Sequence, residues 1–129
     1  MKSLPNVLVV DNEENSLLLL QEILMGSEAN IIIAMSGSEA LKKIRGIDVA
    51  LAILDVRMPE MNGFELALNI NEERLEKVPI IFVTANYLNY SDVSKGYDSG
   101  AVDYIIKPIK NDILLNKVKI FIDLFNQKQ

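Results

Sequence analysis

The stretch Val-Ala-Leu-Ala-Ile-Leu-Asp (49–55) is an unbroken apolar run that stops at a carboxylate. A short run of this kind predicts a strand, here Val49–Leu54, that is covered on both faces as in a parallel sheet. Four further short segments rich in apolar residues also read as strands: Val7–Val10, Ile31–Ala34, Pro79–Thr84 and Val102–Ile106. The five runs therefore predict the five strands of one sheet.

Segments with helical periodicity separate these strands. Leu17, Leu20 and Leu24 recur at steps of three and four residues, which predicts a helix after the first strand. Further helices are predicted from a Ser36/Glu39 capping box to Arg45, and at about Phe64–Leu75, Tyr87–Ser99 and Ile109–Phe125. Strands that alternate with helices imply a parallel sheet with right-handed crossovers and helices on both faces. We expect one domain over residues 1–129, with its site beyond the carboxyl ends of the strands.

The composition limits the chemistry that this domain can perform. The 129 residues include no cysteine and no histidine, which excludes disulfides, cysteine-based zinc sites and Ser-His-Asp catalysis. The net charge of −5 argues against a free-standing nucleic-acid binder, because phosphate contacts need clustered Lys and Arg. No apolar run is long enough for a signal or membrane segment, so the cytosol is the expected location and no membrane partner is expected.

Polar residues stand at the predicted strand ends. Asp11-Asn12-Glu13 follows the first strand, Asp55 the third, Thr84 ends the fourth and Lys107 follows the fifth. Each alone has a structural explanation, such as a helix cap or a solvated lysine. Together they suit phosphoryl transfer, in which a carboxylate attacks phosphorus to form an acyl phosphate. Oxygen ligands suit Mg²⁺, and a hydroxyl and an ammonium would meet the phosphoryl oxygens.

Four stretches make the chain recognisable. They are Val-Leu-Val-Val-Asp-Asn-Glu (7–13), Leu-Asp-Val-Arg-Met-Pro-Glu-Met-Asn-Gly (54–63), Val-Thr-Ala (83–85) and Asp-Tyr-Ile-Ile-Lys-Pro-Ile (103–109). In this order and spacing the chain resembles the receiver domain of two-component response regulators over essentially its whole length. The resemblance implies an α/β flavodoxin-like fold with three layers, a doubly wound parallel sheet in strand order 2-1-3-4-5 and five helices.

The resemblance also implies a role for individual residues. Asp55 matches the phosphoacceptor, Thr84 the switch hydroxyl, Tyr104 the rotating aromatic residue and Lys107 the lysine that pairs with the phosphoryl group. The metal ligands would be Asp11, Asn12, Asp55 and the backbone carbonyl of Arg57, holding Mg²⁺ or alternatively Mn²⁺. The side chains of Arg57 and Asn86 stand where the family tunes the lifetime of the phosphoryl group, and a solvated loop residue is the alternative for both.

One residue departs from the family pattern. Asn12 stands where the family usually has a second acidic metal ligand, so we expect weaker metal binding. The alternative function is a degenerate receiver that acts as an interaction module without phosphorylation. A phosphohydrolase is disfavoured because Arg57 stands where such enzymes carry an acidic proton donor. A nucleotide-binding role is disfavoured because the glycine-rich motifs of nucleotide-binding proteins are absent. We therefore expect a regulatory domain rather than an enzyme with an external substrate.

The expected partners follow from the resemblance and from the last helix. A histidine kinase or phosphotransfer protein would supply the phosphoryl group, and a downstream output domain would read the changed face of the fifth strand and last helix. Leu115 and Ile122 add an apolar stripe to the face of Leu114, Val118, Phe121 and Phe125. Two readings of that stripe remain open: a broad core face, or a surface for a homodimer or a following domain. No Gly or Pro ends this helix (about 109–126), which suggests continuation into an output or sensor module.

Overall fold

The computed structural model describes residues 4–72, 74–85, 94, 95, 98 and 101–128. Five parallel strands form one sheet: β1 (Asn6–Val10), β2 (Asn30–Ala34), β3 (Leu51–Asp55), β4 (Ile80–Thr84) and β5 (Ala101–Ile106). Their order across the sheet is β2-β1-β3-β4-β5. The predicted fold class and strand order are confirmed, and the strand boundaries agree within two residues.

Four helices lie within the described residues: α1 (Glu14–Leu24), α2 (Gly37–Lys43), α3 (Gly63–Asn71) and α4 (Asn111–Gln127). Of the predicted helix over Tyr87–Ser99, only Ser94, Lys95 and Asp98 fall within the described residues, and Asn86 falls outside them. The predicted count of five helices is therefore not tested over this segment.

Two apolar clusters cover the two faces of the sheet. Side chains alternate along each strand, so Leu8 and Val10 join the α2/α3 side while Val7 and Val9 join the α1/α4 side. Every residue of β3 and β4 is buried. Burial on both faces is the reason that these strands are continuous apolar runs rather than alternating ones.

The helix α3 ends earlier than the apolar pattern predicts. It stops at Asn71 instead of continuing to about Leu75. The Asn71 side chain accepts a hydrogen bond from Val78 N (2.7 Å) and donates Nδ2–H to Val78 O (3.1 Å). These bonds turn the chain into β4 and leave Leu75 fully exposed. The predicted last turn of α3 is therefore wrong.

The helix α2 is also shorter than predicted, ending at Lys43 rather than Arg45. The guanidinium of Arg74 donates Nη1–H to Ile47 O (2.9 Å) and Nη2–H to Ile44 O (3.1 Å). Satisfying these carbonyls from a distant loop removes the need to continue the helix.

The N-terminal caps of α2 and α3 differ, because only α3 has a complete capping box. Ser36 Oγ accepts from Glu39 N (3.2 Å) as predicted, but Glu39 Oε1 accepts from Met35 N instead of completing the box at Ser36. The complete capping box belongs to α3, where Asn62 and Glu65 bond each other's backbone N–H groups (2.9 and 3.1 Å). Asn62 therefore fixes the start of α3.

The burial of the side chains of α4 distinguishes between the two readings of its apolar stripe. Leu114, Val118 and Ile122 are buried against the sheet, and Leu115 is half-buried. Ile122 therefore belongs to the core, which confirms the core-face reading for this residue and excludes it from an association surface. The exposed apolar residues of α4 are Ile113, Ile120 and Leu124.

Candidate functional site

The strand order brings the predicted site residues to one edge of the sheet. Asp11 follows β1, which pairs with β3, and Asp55 is the last residue of β3. Thr84 ends β4 and pairs in register with Ile106, the residue before Lys107. Because parallel strands end at the same edge, these four residues share one side of the domain.

Asp11 and Lys107 form a partly buried ion pair at this edge. Lys107 Nζ lies 3.0 Å from Asp11 Oδ2, and Asp11 is completely buried whereas Lys107 is 18% exposed. The other carboxylate oxygen, Asp11 Oδ1, accepts a hydrogen bond from Glu13 N (2.9 Å). Both oxygens of Asp11 are therefore held in a fixed orientation.

Ser16, a residue that the sequence analysis missed, is a second acceptor for this lysine. Lys107 Nζ lies 3.3 Å from the hydroxyl Oγ of Ser16 in the first turn of α1. The two residues are 91 positions apart, so no local pattern connects them. The sequence offered one clue to Ser16: its hydroxyl lies in the helical turn that follows Asp11, next to the carboxyl ends of the strands.

Asp55 is the buried carboxylate with an unusual pKa. It is 6% exposed, and burial raises its pKa from 3.8 to about 6. The charge of Asp11 also raises the pKa, while Lys107 and the backbone N–H of Arg57 lower it. The Asp55 carboxyl is therefore harder to ionise than an exposed one, chiefly because it is removed from water and secondly because of the charge on Asp11.

The loop after β3 wraps closely around Asp55. Arg57 N lies 3.4 Å from Asp55 Oδ1, and Gly63 N donates to Val56 O (3.0 Å). A Cβ atom on Gly63 would lie 2.3 Å from the carbonyl oxygen of Asp55, which no side chain can tolerate. Within this loop the positive φ, 66°, is at Glu60.

An aromatic row lies beneath Thr84 on the α2/α3 face of the sheet. Thr84 is completely buried and shares its face with Phe82, two residues earlier. The ring centroid of Phe82 lies 4.8 Å from that of Phe64 and 5.5 Å from that of Tyr104. The half-buried Tyr104 therefore packs against Phe82, which lies two residues before Thr84 on the same face of β4.

The oxygen ligands at this edge of the sheet fit Mg²⁺, although one of them, Asn12, is a weak ligand. Asp11 and Asp55 supply two buried carboxylates, and the predicted third oxygen, the backbone carbonyl of Arg57, would come from the loop that follows Asp55. Asn12 is exposed and contributes at most a neutral amide. Within the described ranges, no three His, Cys, Asp or Glu side chains cluster as a metal site. Mg²⁺ in proteins is commonly held by one or two carboxylates together with waters and phosphate, so the set is sufficient.

A cleft beside Asp55 gives access to this edge. Its volume is about 410 Å³, and it is lined by Val56, Arg57, Met58, Asn62, Phe64 and Lys95. Arg57 and Lys95 are both exposed, so two cations border this cleft beside the loop that follows β3.

The comparison with known proteins decides the family. The model of the response regulator receiver domain matches residues 7–119. The chain belongs to this family. The predicted resemblance is confirmed, and the chain is a receiver domain of two-component signalling, which is a regulatory domain.

Similar proteins agree with this assignment. The response regulator ArlR of Staphylococcus haemolyticus is 32% identical over 94% of the receiver chain and 62% of its own length. The regulator PhoP of alkaline phosphatase synthesis in Bacillus subtilis is 38% identical over 79% of the receiver chain and 42% of its own length. A CheY-like receiver domain protein of Methanospirillum hungatei superposes with a TM-score of 0.87 at 30% identity, covering 98% of this chain and all of its own.

The receiver chain therefore spans only 62% and 42% of the two curated regulators. Among the described residues, none of the helices is long and apolar enough to cross a membrane.

Proposed function

We propose that this receiver domain is a switch that accepts a phosphoryl group on Asp55 from the phosphohistidine of a histidine kinase or phosphotransfer protein. The observation that carries the proposal is the buried Asp55 carboxylate at the strand edge, beside the buried Asp11–Lys107 ion pair. Its raised pKa of about 6 still leaves the carboxylate mostly ionised at neutral pH, as a nucleophile must be.

In the proposed reaction, a carboxylate oxygen of Asp55 bonds to phosphorus while the bond from phosphorus to the donor imidazole breaks. The charge on the three phosphoryl oxygens must be neutralised for this transfer to proceed. Receiver domains generally bind Mg²⁺ at an acidic site, and the ion supplies that neutralisation when it is bound. Lys107 would donate to one phosphoryl oxygen and the Thr84 hydroxyl to another.

The proposed readout runs from Thr84 to Tyr104. A Thr84 hydroxyl that moves toward a phosphoryl oxygen leaves space above the Phe82 ring, and Tyr104 can fill that space. The 5.5 Å contact between Phe82 and Tyr104 supports this coupling. Such a pair is a two-state packing element that a local charge change can bias. The altered surface would be that of β5 and α4.

The proposed partners follow from this scheme. A kinase or phosphotransfer protein supplies the phosphoryl group, and an output domain on the same or another chain reads the β5/α4 surface. The name of the relative PhoP, a transcriptional regulatory protein, supports an output linked to transcription, and the cytoplasm is the proposed location. A homodimer remains an alternative use of the same surface, without Ile122.

A degenerate receiver is the second candidate function, because the Asn12 side chain is exposed and neutral at the position of a usual acidic ligand. Binding of beryllofluoride, a phosphoryl mimic, separates the two candidates. We expect a bound ¹⁹F NMR signal that requires both Mg²⁺ and Asp55, with Asp55→Asn as the control. Absence of that signal at high Mg²⁺ in a folded wild-type domain favours the interaction module.

A further inference from the structure

We propose that Ser16 is a positioning residue that holds the Lys107 ammonium on Asp11 while the site is free of metal. The geometry rests on one cation with two acceptors: Asp11 Oδ2 at 3.0 Å and Ser16 Oγ at 3.3 Å from Lys107 Nζ. The inference deepens the proposed function, since it concerns how the same site changes from its metal-free to its metal-bound arrangement.

The residues around the ammonium explain why a second acceptor matters here. Asp11 is completely buried, and its other oxygen is already bonded to Glu13 N. Asn12 offers no negative charge to the lysine, and its side chain is exposed. An ammonium has three N–H donors, and two of them are satisfied by Asp11 and Ser16. Ser16 thus supplies an acceptor that the neutral residue 12 does not.

The position of Ser16 makes this contact depend on the fold. Ser16 lies in the first turn of α1, whose buried residues Leu17 and Leu20 fix the helix against the sheet. Lys107 is held from β5, whose neighbour β4 supplies Thr84 O as the acceptor for Lys107 N (2.8 Å). Ser16 is therefore anchored by α1, and the backbone of Lys107 is anchored directly after β5 by its hydrogen bond to Thr84 O.

The consequence is competition for Asp11. The ammonium and a divalent cation both require the same carboxylate, so whatever strengthens the lysine's hold on Asp11 weakens metal binding. The hydrogen bond that the ammonium donates to Ser16 Oγ adds to that hold only while Lys107 stays on Asp11. Removing the hydroxyl is therefore expected to tighten Mg²⁺ binding by release of the competing ammonium.

The test compares Ser16→Thr with Ser16→Val, two side chains of the same shape of which only Thr keeps the hydroxyl. We expect Mg²⁺, measured by calorimetric titration of the metal alone, to bind the Val variant about threefold to fivefold more tightly than the Thr variant, which is the effect of losing one hydrogen bond of ordinary net strength. Asn15→Thr and Asn15→Val are the matched controls, because Asn15 is exposed on the same turn. This control pair is expected to show equal affinities.

A second comparison asks whether Ser16 acts through the lysine. In a Lys107→Met background the Thr and Val variants at position 16 are expected to bind Mg²⁺ equally, since no ammonium remains to be held. Equal affinities in the presence of Lys107, weaker binding by the Val variant, or the same ratio at position 15 would overturn the inference. The ratio needs no phosphoryl transfer, so it stands or fails separately from phosphorylation of Asp55.

Discussion

Asp55 is a carboxylate whose neighbours make it costly to ionise in the folded, metal-free protein. Its pKa rises from 3.8 to about 6, first because of burial and then because of the charge on Asp11. The folded state therefore binds a proton more tightly than the unfolded state. Stability from this group is fully present below pH 3.8 and is lost as the pH rises through about 6.

The first prediction concerns this pH dependence. With a chelator present, Asp55→Asn is expected to be more stable than the wild type at pH 7 by roughly 2 kcal/mol, because the amide needs no charge in the buried site. The difference is expected to shrink as the pH falls from 6 toward 4. Urea unfolding of both proteins across this range measures it, and parallel stability curves would contradict the assigned pKa.

Gly63 lies so close to the backbone of Asp55 that there is no space for a side chain. Gly63→Ala places a methyl group 2.3 Å from the Asp55 carbonyl oxygen, so the loop that follows β3 must move. We expect a loss of about 2–4 kcal/mol from such overpacking. Gly46→Ala is the control: its φ of 74° is unfavourable for Ala, but its surroundings are open, so a loss of about 1 kcal/mol is expected. Equal losses in urea unfolding would argue against the close approach.

At the scale of elements, β3 and β4 follow directly from the sequence because every residue in them is buried and mostly apolar, and the other three strands follow from shorter or interrupted apolar runs. The ends of α2 and α3 do not follow, because they are set by Arg74 on two distant carbonyls and by the Asn71 bonds to Val78. The contact of Ser16 with Lys107 is hidden for the same reason. Local patterns predict which elements form, and long-range hydrogen bonds decide where some of them stop.

The helix α4 carries a prediction that separates core from surface. Ile122 is 5% exposed and Ile120 is 57% exposed, although both read as apolar positions of one helix. Ile122→Glu is expected to destabilise the domain by about 3 kcal/mol or more, because a carboxylate enters the apolar cluster. Ile120→Glu is expected to change stability by less than about 1 kcal/mol. Thermal unfolding of the two variants checks this. A loss of stability at Ile122 as small as that at Ile120 would contradict the burial of the Ile122 side chain.

At the scale of the whole molecule, the proposed switch must connect the site to the β5/α4 surface. Addition of beryllofluoride and Mg²⁺ is expected to shift the backbone NMR signals of β4, β5 and α4. In Thr84→Val, which keeps the buried shape without the hydroxyl, we expect the shifts of β5 and α4 to fall by at least about half, because one donor to the mimic is lost. Undiminished shifts in the variant would mean that the signal bypasses Thr84.

The measurement that tests the central claim most directly is the intact mass of the domain after incubation with acetyl phosphate and Mg²⁺. The account predicts one phosphoryl adduct on the wild type, none on Asp55→Asn, and none on the wild type when a chelator removes the metal. An adduct that persists in Asp55→Asn would place the acceptor elsewhere. No adduct on the folded wild type at high Mg²⁺ would contradict the switch and leave a receiver that acts by interaction alone.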